Sequence, residues 1–443
     1  QSCRWFCCSH WAKSVRYLGL FVALSFYKVL LWLALPIVYL RLLMRARREP
    51  AYAARRSERF GGVPDDIKPG AIWFHTVSAG ESIAAAPLIK KMISNLPAQN
   101  FLVTTMTPTG SEQVHQHLGG SVDHCYAPYD FTFAVRSFLR KTQPRMLVLM
   151  ETEIWPNLIM QANAQGIPVV LINARMSQRS ARGYQRMSWL SRRVLGAITH
   201  IACQSAEHMQ RFIDLGVEAQ KVSVLGSVKY DLQLPQNLAK QASLLKTQLN
   251  LRARPVWIAA STHPGEEEQI IQAHLSLRAQ LPELCLLLVP RHPHRAADVG
   301  ALVNQHNLSW RASSDGPTAG VYDVIVGDVM GQLLALYSLA DVAFVGGSLV
   351  EHGGHNPIEP GLLGLPIVAG PADFNFVEVV AQLSEAGAYK KIANADELSE
   401  VVSELLIDTT GREQMGSNAR AVIMNNVGAT QRTLALLSGQ LEA

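Results

Sequence analysis

Charge is the scarcest ingredient of this sequence: Asp, Glu, Lys and Arg make up 17% of its 443 residues, where about 25% is usual. With 48% hydrophobic residues, that shortage excludes an extended disordered chain and leaves a surface suited to apolar contact. Cysteine is sparse as well. Cys125, Cys203 and Cys285 lie far apart with no CxxC spacing, and the others, Cys3, Cys7 and Cys8, stand near the start. Neither a disulfide framework nor a zinc knuckle is expected, and the body of the chain reads as reduced and cytosolic. No GxGxxG follows a strand-like run, and GxxxxGK[ST], GxSxG and DxD do not occur. These gaps count against a dinucleotide dehydrogenase, a P-loop phosphotransferase and an α/β serine hydrolase. No repeat of solenoid period is present either.

The net charge of +5 is unevenly placed. Residues 1–60 hold 11 Lys and Arg against 2 Asp and Glu, leaving 29 against 33 for the remainder. A nucleic-acid binder would spread its cations over a folded face. Here they flank an apolar run, which points to anionic lipid head groups. Tyr17 to Leu40 reads YLGLFVALSFYKVLLWLALPIVYL, 24 residues that as a helix extend about 36 Å, enough to cross a hydrocarbon core of about 30 Å. Lys28 and Pro36 fall inside it, so a helix lying in the membrane interface is the competing arrangement. Arg41, Arg45, Arg48, Arg55 and Arg59 follow at spacings that would share one helix face. By the positive-inside rule they keep the bulk cytoplasmic. An arginine cluster rather than a small-residue cleavage site follows Leu40, so an uncleaved anchor is expected.

From Ala71 onward, short apolar runs alternate with amphipathic stretches in βαβ rhythm: AIWFH, FLVTTM, MLVLM, PVVLIN, HIACQ and KVSVLG. A polar piece near residues 231–254 intervenes. A second series follows, with VWIAAS, LCLLLVP, DVIVGD, VAFVGG and LPIVAG. The pattern predicts an α/β protein with two Rossmann-like parallel-sheet domains, over 61–234 and 235–443, behind an anchor and basic segment over 1–60.

The polar residues with chemical potential sit where strands run out. In His75-Thr76-Val77-Ser78-Ala79-Gly80-Glu81 a strand passes into a helix, putting Glu81 at the carboxyl end of the sheet, where open α/β folds bind ligands. A carboxylate there can accept a proton from a hydroxyl; equally, a first-turn Glu is favoured by the helix dipole alone. Glu151 and Glu153 follow MLVLM in the same way; at i and i+2 they cannot share a helix face. Arg175, Arg179, Arg182 and Arg186 recur at steps of four, three and four. That is either a solvated helix face or a site for anionic groups of an acceptor. Lys229, in GSVKYD, ends the last strand of the first series. In the second series Pro290, Arg291 and His292 end a strand, Met330, Gly331 and Gln332 begin a helix, and GGHNPIEP brings Asn356, Pro357, Ile358 and Glu359 after a glycine pair. Amides at such a turn suit a phosphate and a Glu can bind ribose hydroxyls. His352 and His355 with Glu351 and Glu359 could be imagined around a metal, but the intervening glycines indicate a tight loop rather than paired ligands, so no metal is expected.

Taken together, WFHTVSAGE, METEIWPN, NARMSQRS, GSVKYD, PRHPHR and GGHNPIEP resemble, in order, the motifs of the 3-deoxy-D-manno-octulosonic acid (Kdo) transferases of lipopolysaccharide synthesis. The resemblance implies the GT-B glycosyltransferase fold, its two domains facing across a cleft, and inverting transfer from CMP-Kdo to the lipid A precursor, lipid IVA, without a cofactor. It also implies Glu81 as proton acceptor, with Glu151 and Lys229 stabilising the transition state, and Pro290, Arg291, His292, Met330, Gly331, Gln332 and Asn356 to Glu359 around CMP. Arg175 and Arg179 would then meet the acceptor. Two other readings fit the pattern: a related transferase using a uridine nucleotide-sugar, and a non-catalytic nucleotide-binding membrane adaptor.

Overall fold

The computed structural model describes residues 27–47, 49–232, 234–251 and 254–442. The chain forms two compact units, one running up to Asp231 and taken up again from Gly428, the other Leu232–Val427.

In the first unit seven strands form one sheet: β1 (Ile72–His75), β2 (Phe101–Thr105), β3 (Asp123–Tyr126), β4 (Met146–Met150), β5 (Val169–Ala174), β6 (His200–Cys203) and β7 (Val222–Val224). Their order is β3-β2-β1-β4-β5-β6-β7, and all pairs are parallel. The central strands are apolar without alternation because both faces are covered. Successive residues of β1 go to opposite sides: Trp73 packs with Leu102, Phe138 and Leu147, whereas Ile72 and Phe74 pack with Leu88 and Ile89. The chain builds outward from β1 on one side, then returns to lay β4 on the other. The strand order therefore reverses between β1 and β4, the position where open α/β sheets leave a crevice at their carboxyl edge.

The second unit repeats the plan with β8 (Val256–Thr262), β9 (Cys285–Pro290), β10 (Trp310–Ala312), β11 (Val324–Val326), β12 (Val342–Val345), β13 (Ile367–Ala369) and β14 (Tyr389–Lys391). The order is β10-β11-β9-β8-β12-β13-β14, so this reversal falls between β8 and β12. Two parallel-sheet units are the architecture expected of a GT-B protein.

Two boundaries differ from the sequence reading. The piece between the strand series contains the helix Leu238–Gln248, whose Leu238 and Leu245 join the core around Ile258. The second domain also stops at Val427 rather than running to the end. The terminal helix Ala429–Glu442 buries Ala429, Leu434 and Leu437 in the first unit's core beside Phe74 and Leu88. Asp231 fixes that return by accepting from Gly428 N and Thr430 N.

At the other end, Tyr27–Arg47 is a helix of 21 residues, long and apolar enough to cross a membrane; residues 17–26 of the expected span lie outside the described residues. One side docks on the first unit: Tyr27 Oη donates to Asp130 Oδ2 at 2.8 Å, Trp32 meets Phe133, Tyr39 meets Phe60, and Leu42 is buried. The other side exposes Val29, Leu33, Ile37, Leu40 and Met44. Among the described residues the single arginine face does not form; Arg48 lies outside them. The helix ends before Glu49, held extended by Pro50 because α conformation is disfavoured ahead of proline. Beyond it Arg59 is 1% exposed, its guanidinium 4.2 Å from the Tyr126 ring centroid, and Arg55 binds Glu58 and the His124 carbonyl.

Candidate active site

Glu81 lies in the first turn of the helix Ala79–Asn95, behind the cap residue Ser78. The Ser-x-x-Glu spacing closes a box: Ser78 Oγ accepts from Glu81 N at 3.3 Å. In return Glu81 Oε1 accepts from Ser78 Oγ at 2.8 Å and Oε2 from Val77 N at 2.9 Å. Both oxygens are thereby aimed back at the end of β1, which the dipole alone would not require. Glu81 is 8% exposed. Burial, with the nearby carboxylate of Glu153 and then that of Glu151, pushes its pKa up to about 7, against the two hydrogen bonds that favour the charged form. A carboxyl so tuned exchanges its proton near neutrality.

Across the reversal, at the end of β4, stands Glu151. Its backbone is left-handed, with φ of 53°. The side chain, 6% exposed, is gripped from two sides: Lys229 Nζ at 2.9 Å from Oε1 and Arg175 Nε at 2.9 Å from Oε2. Asn173, near the end of β5, is likewise left-handed at φ 51°, and its Oδ1 accepts from Val228 N at 3.3 Å, fixing the turn that carries Lys229. Strained non-glycine residues at neighbouring strand ends mark a site whose geometry is held by its surroundings. Lys229 itself does not end β7; it lies in the 3₁₀ turn Val228–Tyr230. Glu153 accepts from Trp155 Nε1 at 2.7 Å, and burial raises its pKa, with Glu151 acting the same way. His75, fully buried, hydrogen-bonds Thr104 through Nδ1 at 3.1 Å, and desolvation brings its pKa down to about 3.

The four-arginine stripe is interrupted. The helix is Gln178–Arg186 with Ser177 as its cap, so Arg175 lies ahead of it and turns to Glu151, while Arg179 is on the helix and exposed. An apolar cavity of about 380 Å³ lies beside this helix, lined by Tyr27, Ile154, Tyr184, Met187, Leu190 and Val194 among others.

In the second unit the expected nucleotide residues follow β9, β11 and β12. Arg291 and His292 are exposed just past β9, Met330 and Gly331 are exposed past β11, and Gln332 is partly buried, with an Oε1 that has no hydrogen-bond partner. The amide at the start of the five-residue helix Ile358–Leu362 is not open to a phosphate: Asn356 Oδ1 accepts from Ile358 N at 3.0 Å. Asn356 also donates to Glu359 Oε1 at 3.2 Å. Burial raises the Glu359 pKa, while Asn356 and the positive charge of Arg291 oppose it. Arg291 and Glu359, distant in sequence, thus share one electrostatic environment. Sequence reasoning overlooked Ser78, although its spacing from Glu81 is legible. It also passed over Asn173, His263 and Glu266, which matter through backbone geometry that no local pattern encodes.

Residues 54–232 match the family model described as 3-Deoxy-D-manno-octulosonic-acid transferase (kdotransferase), and residues 322–422 match Glycosyl transferases group 1. The chain is 40% identical to the 3-deoxy-D-manno-octulosonic acid transferase of Haemophilus influenzae over 94% of its own length and 98% of that protein. It is 34% identical to the enzyme of the same name from Bordetella pertussis over 92% and 96%. Among solved structures, UDP-GlcNAc 2-epimerase from Neisseria meningitidis shares the fold at TM-score 0.56 and 16% identity, covering 83% of this chain and all of that one. With relatives matched along nearly their whole length and both halves of the sheet architecture in place, the chain belongs to the 3-deoxy-D-manno-octulosonic acid transferases, glycosyltransferases of the GT-B fold.

Proposed function

We propose that the chain transfers Kdo from CMP-Kdo to a hydroxyl of the lipid A precursor, lipid IVA, with inversion, at the cytoplasmic face of the inner membrane. The observation that carries this reading is Glu81: a buried carboxylate at the strand-order reversal of the first sheet, both oxygens oriented, with a pKa of about 7. It takes the proton of the attacking hydroxyl as the bond between the sugar's anomeric carbon and the phosphate oxygen breaks. A single displacement of this kind inverts the centre and needs no enzyme nucleophile. Lys229 and Arg175, held on Glu151, keep positive charge beside the reacting hydroxyl and restrain the carboxylate next to Glu81. Arg175 and Arg179 offer guanidinium edges to the acceptor's phosphates. On the second unit Pro290, Arg291, His292, Met330, Gly331, Gln332 and Asn356 to Glu359 surround CMP, with Arg291 supplying charge to the leaving phosphate and Glu359 a carboxylate for ribose.

The anchor reads as interfacial over the described residues. A helix docked on the folded unit from Tyr27 to Leu42 lies alongside that unit, and its exposed apolar face with Arg41 and Arg45 nearby suits the boundary of an anionic leaflet. Held there, the enzyme meets a lipid acceptor in two dimensions. The test is mass spectrometry of the lipid after incubation of the full chain with CMP-Kdo and lipid IVA. A mass increase of one or more Kdo units is expected. An unchanged lipid sinks the reading, and product from a uridine-activated sugar instead reassigns the donor.

A further inference from the structure

The reversal point of the second sheet carries a group of histidines that the nucleotide residues named above do not include. β8 ends on an irregular register between Ala260 and Thr262, with Ser261 in the left-handed region at φ 59°. This kink delivers His263 to the carboxyl edge. Directly across the reversal, beyond β12, the loop Gly346–Gly347 brings in His355, whose N donates to Gly346 O at 3.1 Å. The two rings lie end to end and nearly coplanar, 8° apart with centroids at 5.0 Å, and their Nε2 atoms are 2.8 Å apart. Both loops are clasped by one fully buried carboxylate. Glu266 accepts from His263 N at 2.8 Å and Gly347 N at 2.6 Å through Oε1, and from Leu349 N at 3.4 Å through Oε2. Gly347 is at φ +69°, and a Cβ there would stand 2.9 Å from the His355 ring. Neither geometry nor chemistry is incidental, because a carboxylate removed from water is spent on holding two imidazoles in contact.

An Nε2–Nε2 hydrogen bond fixes the tautomers. One ring donates from Nε2 and therefore has a bare Nδ1; the other accepts at Nε2 and carries its proton on Nδ1. The neutral pair thus presents one N–H donor and one lone pair, and a single added proton makes it a cation with two donors. The surroundings are set for an anion. Arg291, His292 and the exposed His352 face the pair, with His352 stacked on His263 at 4.1 Å, and among the described residues Glu267 is the acidic group that acts on His263. Glu267 is itself occupied by Arg295 at 2.7 Å through both oxygens. Burial, with the neighbouring histidines and the guanidinium of Arg291, holds both rings neutral at pH 7, their pKa values down to about 4. Among the described residues no group of His, Cys, Asp and Glu is arranged to hold a metal, and two ring nitrogens bonded to each other are not poised as ligands.

We propose that the His263–His355 pair binds the phosphate of the donor nucleotide and takes up one proton from solvent as that phosphate becomes the leaving group. This rests on the CMP-sugar reading and deepens it. The donor phosphate is a diester with one negative charge. When its bond to the anomeric carbon breaks, the electron pair stays on the phosphate oxygen, the acceptor oxygen forms the new bond, and the acceptor's proton goes to Glu81. The product phosphate is a monoester with two negative charges. The second charge draws a proton onto the bare nitrogen of the pair, so that the ring facing the phosphate donates a charge-assisted hydrogen bond where the neutral pair offered an uncharged one. Glu266 acts as a positioning residue.

The test uses the full chain and isothermal calorimetry of CMP and of cytidine at pH 7 in two buffers of different ionisation heat. CMP binding should take up a substantial fraction of a proton, and cytidine binding none. His263→Gln and His355→Gln should each remove most of that uptake and weaken CMP by about tenfold or more, as expected for a hydrogen bond to a charged group, while cytidine changes less than about twofold. Should either glutamine variant melt early, His→Asn at the same position replaces it, and ¹⁵N shifts of the wild-type rings on adding CMP report protonation without any substitution. Uptake and CMP affinity surviving in both variants overturn the pair's role. So does a wild-type chain that binds nucleoside monophosphates with no proton uptake. Proton-linked binding of UMP in place of CMP, lost in the variants, keeps the pair and overturns the cytidylate donor instead.

Discussion

Lys229 Nζ sits 2.9 Å from Glu151 Oε1, and Glu151 is reached by Arg175 on its other oxygen, so a buried carboxylate at the end of β4 is closed between two cations. The arrangement keeps one carboxylate of the site paired while burial leaves the other near its titration point. That division of labour yields the first predictions.

Replacing Glu81 with Gln removes the proton acceptor but keeps the hydrogen-bond frame, since an amide can accept from Val77 N and donate to Ser78 Oγ. Transfer should fall by about 10²–10⁴-fold, with CMP affinity within about twofold of wild type. Single-turnover assays alongside CMP titrations check this, and a variant that keeps a tenth of the activity rejects the assignment.

The pH dependence follows from the same group. Only the deprotonated carboxylate accepts a proton, so kcat/KM should climb with pH through about 7 and level off above it. Stability runs the other way. The folded-state pKa is raised from an ordinary 4.5, so this group's contribution is full below that value and is lost as pH rises through the folded value. Denaturant melts at pH 8 should therefore find Glu81→Gln as stable as wild type or more so, by up to ~3 kcal/mol.

Lys229→Met leaves Glu151 with Arg175 alone. Because Lys229 and Arg175 are partly solvated, the cost in stability should be about 1–3 kcal/mol, below that of breaking a fully buried pair. Transfer should drop far more than this loss of folding explains. A double-mutant cycle with Glu151→Gln measures the coupling, and additive effects would show the two do not act together.

Leu437→Ala, at a fully buried position of the terminal helix, should destabilise the first unit by about 2–5 kcal/mol. Hydrogen exchange is the readout: protection should fall around Phe74 and Leu88, which share its cluster, and the core around Trp257 should be unaffected.

Leu33→Asp with Ile37→Asp places charges on the exposed face of the N-terminal helix. Partition onto vesicles of anionic lipid should fall by about tenfold or more for each position, and unchanged partition would remove this face from the membrane reading.

Much of the molecule is legible before any coordinates. Apolar runs as short as MLVLM and VVLIN, five residues between turn signals, read as strands covered on both faces, and their alternation with amphipathic stretches points to parallel sheets. Ser78 and Glu81 are three apart at a strand-to-helix turn, which specifies a cap and a carboxylate at the sheet edge from local chemistry alone. The order of the motifs suffices for the family. Other features are settled by long-range packing. Arg59 reads as a membrane-facing cation until the ring of Tyr126 buries it. Arg175 reads as part of a helix until Glu151 claims it. The terminal stretch reads as a last helix packing back from the second domain, and only Leu434 and Leu437 fix where it lands, in the first unit's core. The hydrogen bond between His263 and His355 joins residues 92 positions apart through a kinked strand end and one buried carboxylate. Local pattern determines which element forms, because caps, periodicity and turns act within a few residues; which partners a side chain meets is a matter of burial and charge in three dimensions, and only the folded chain decides it.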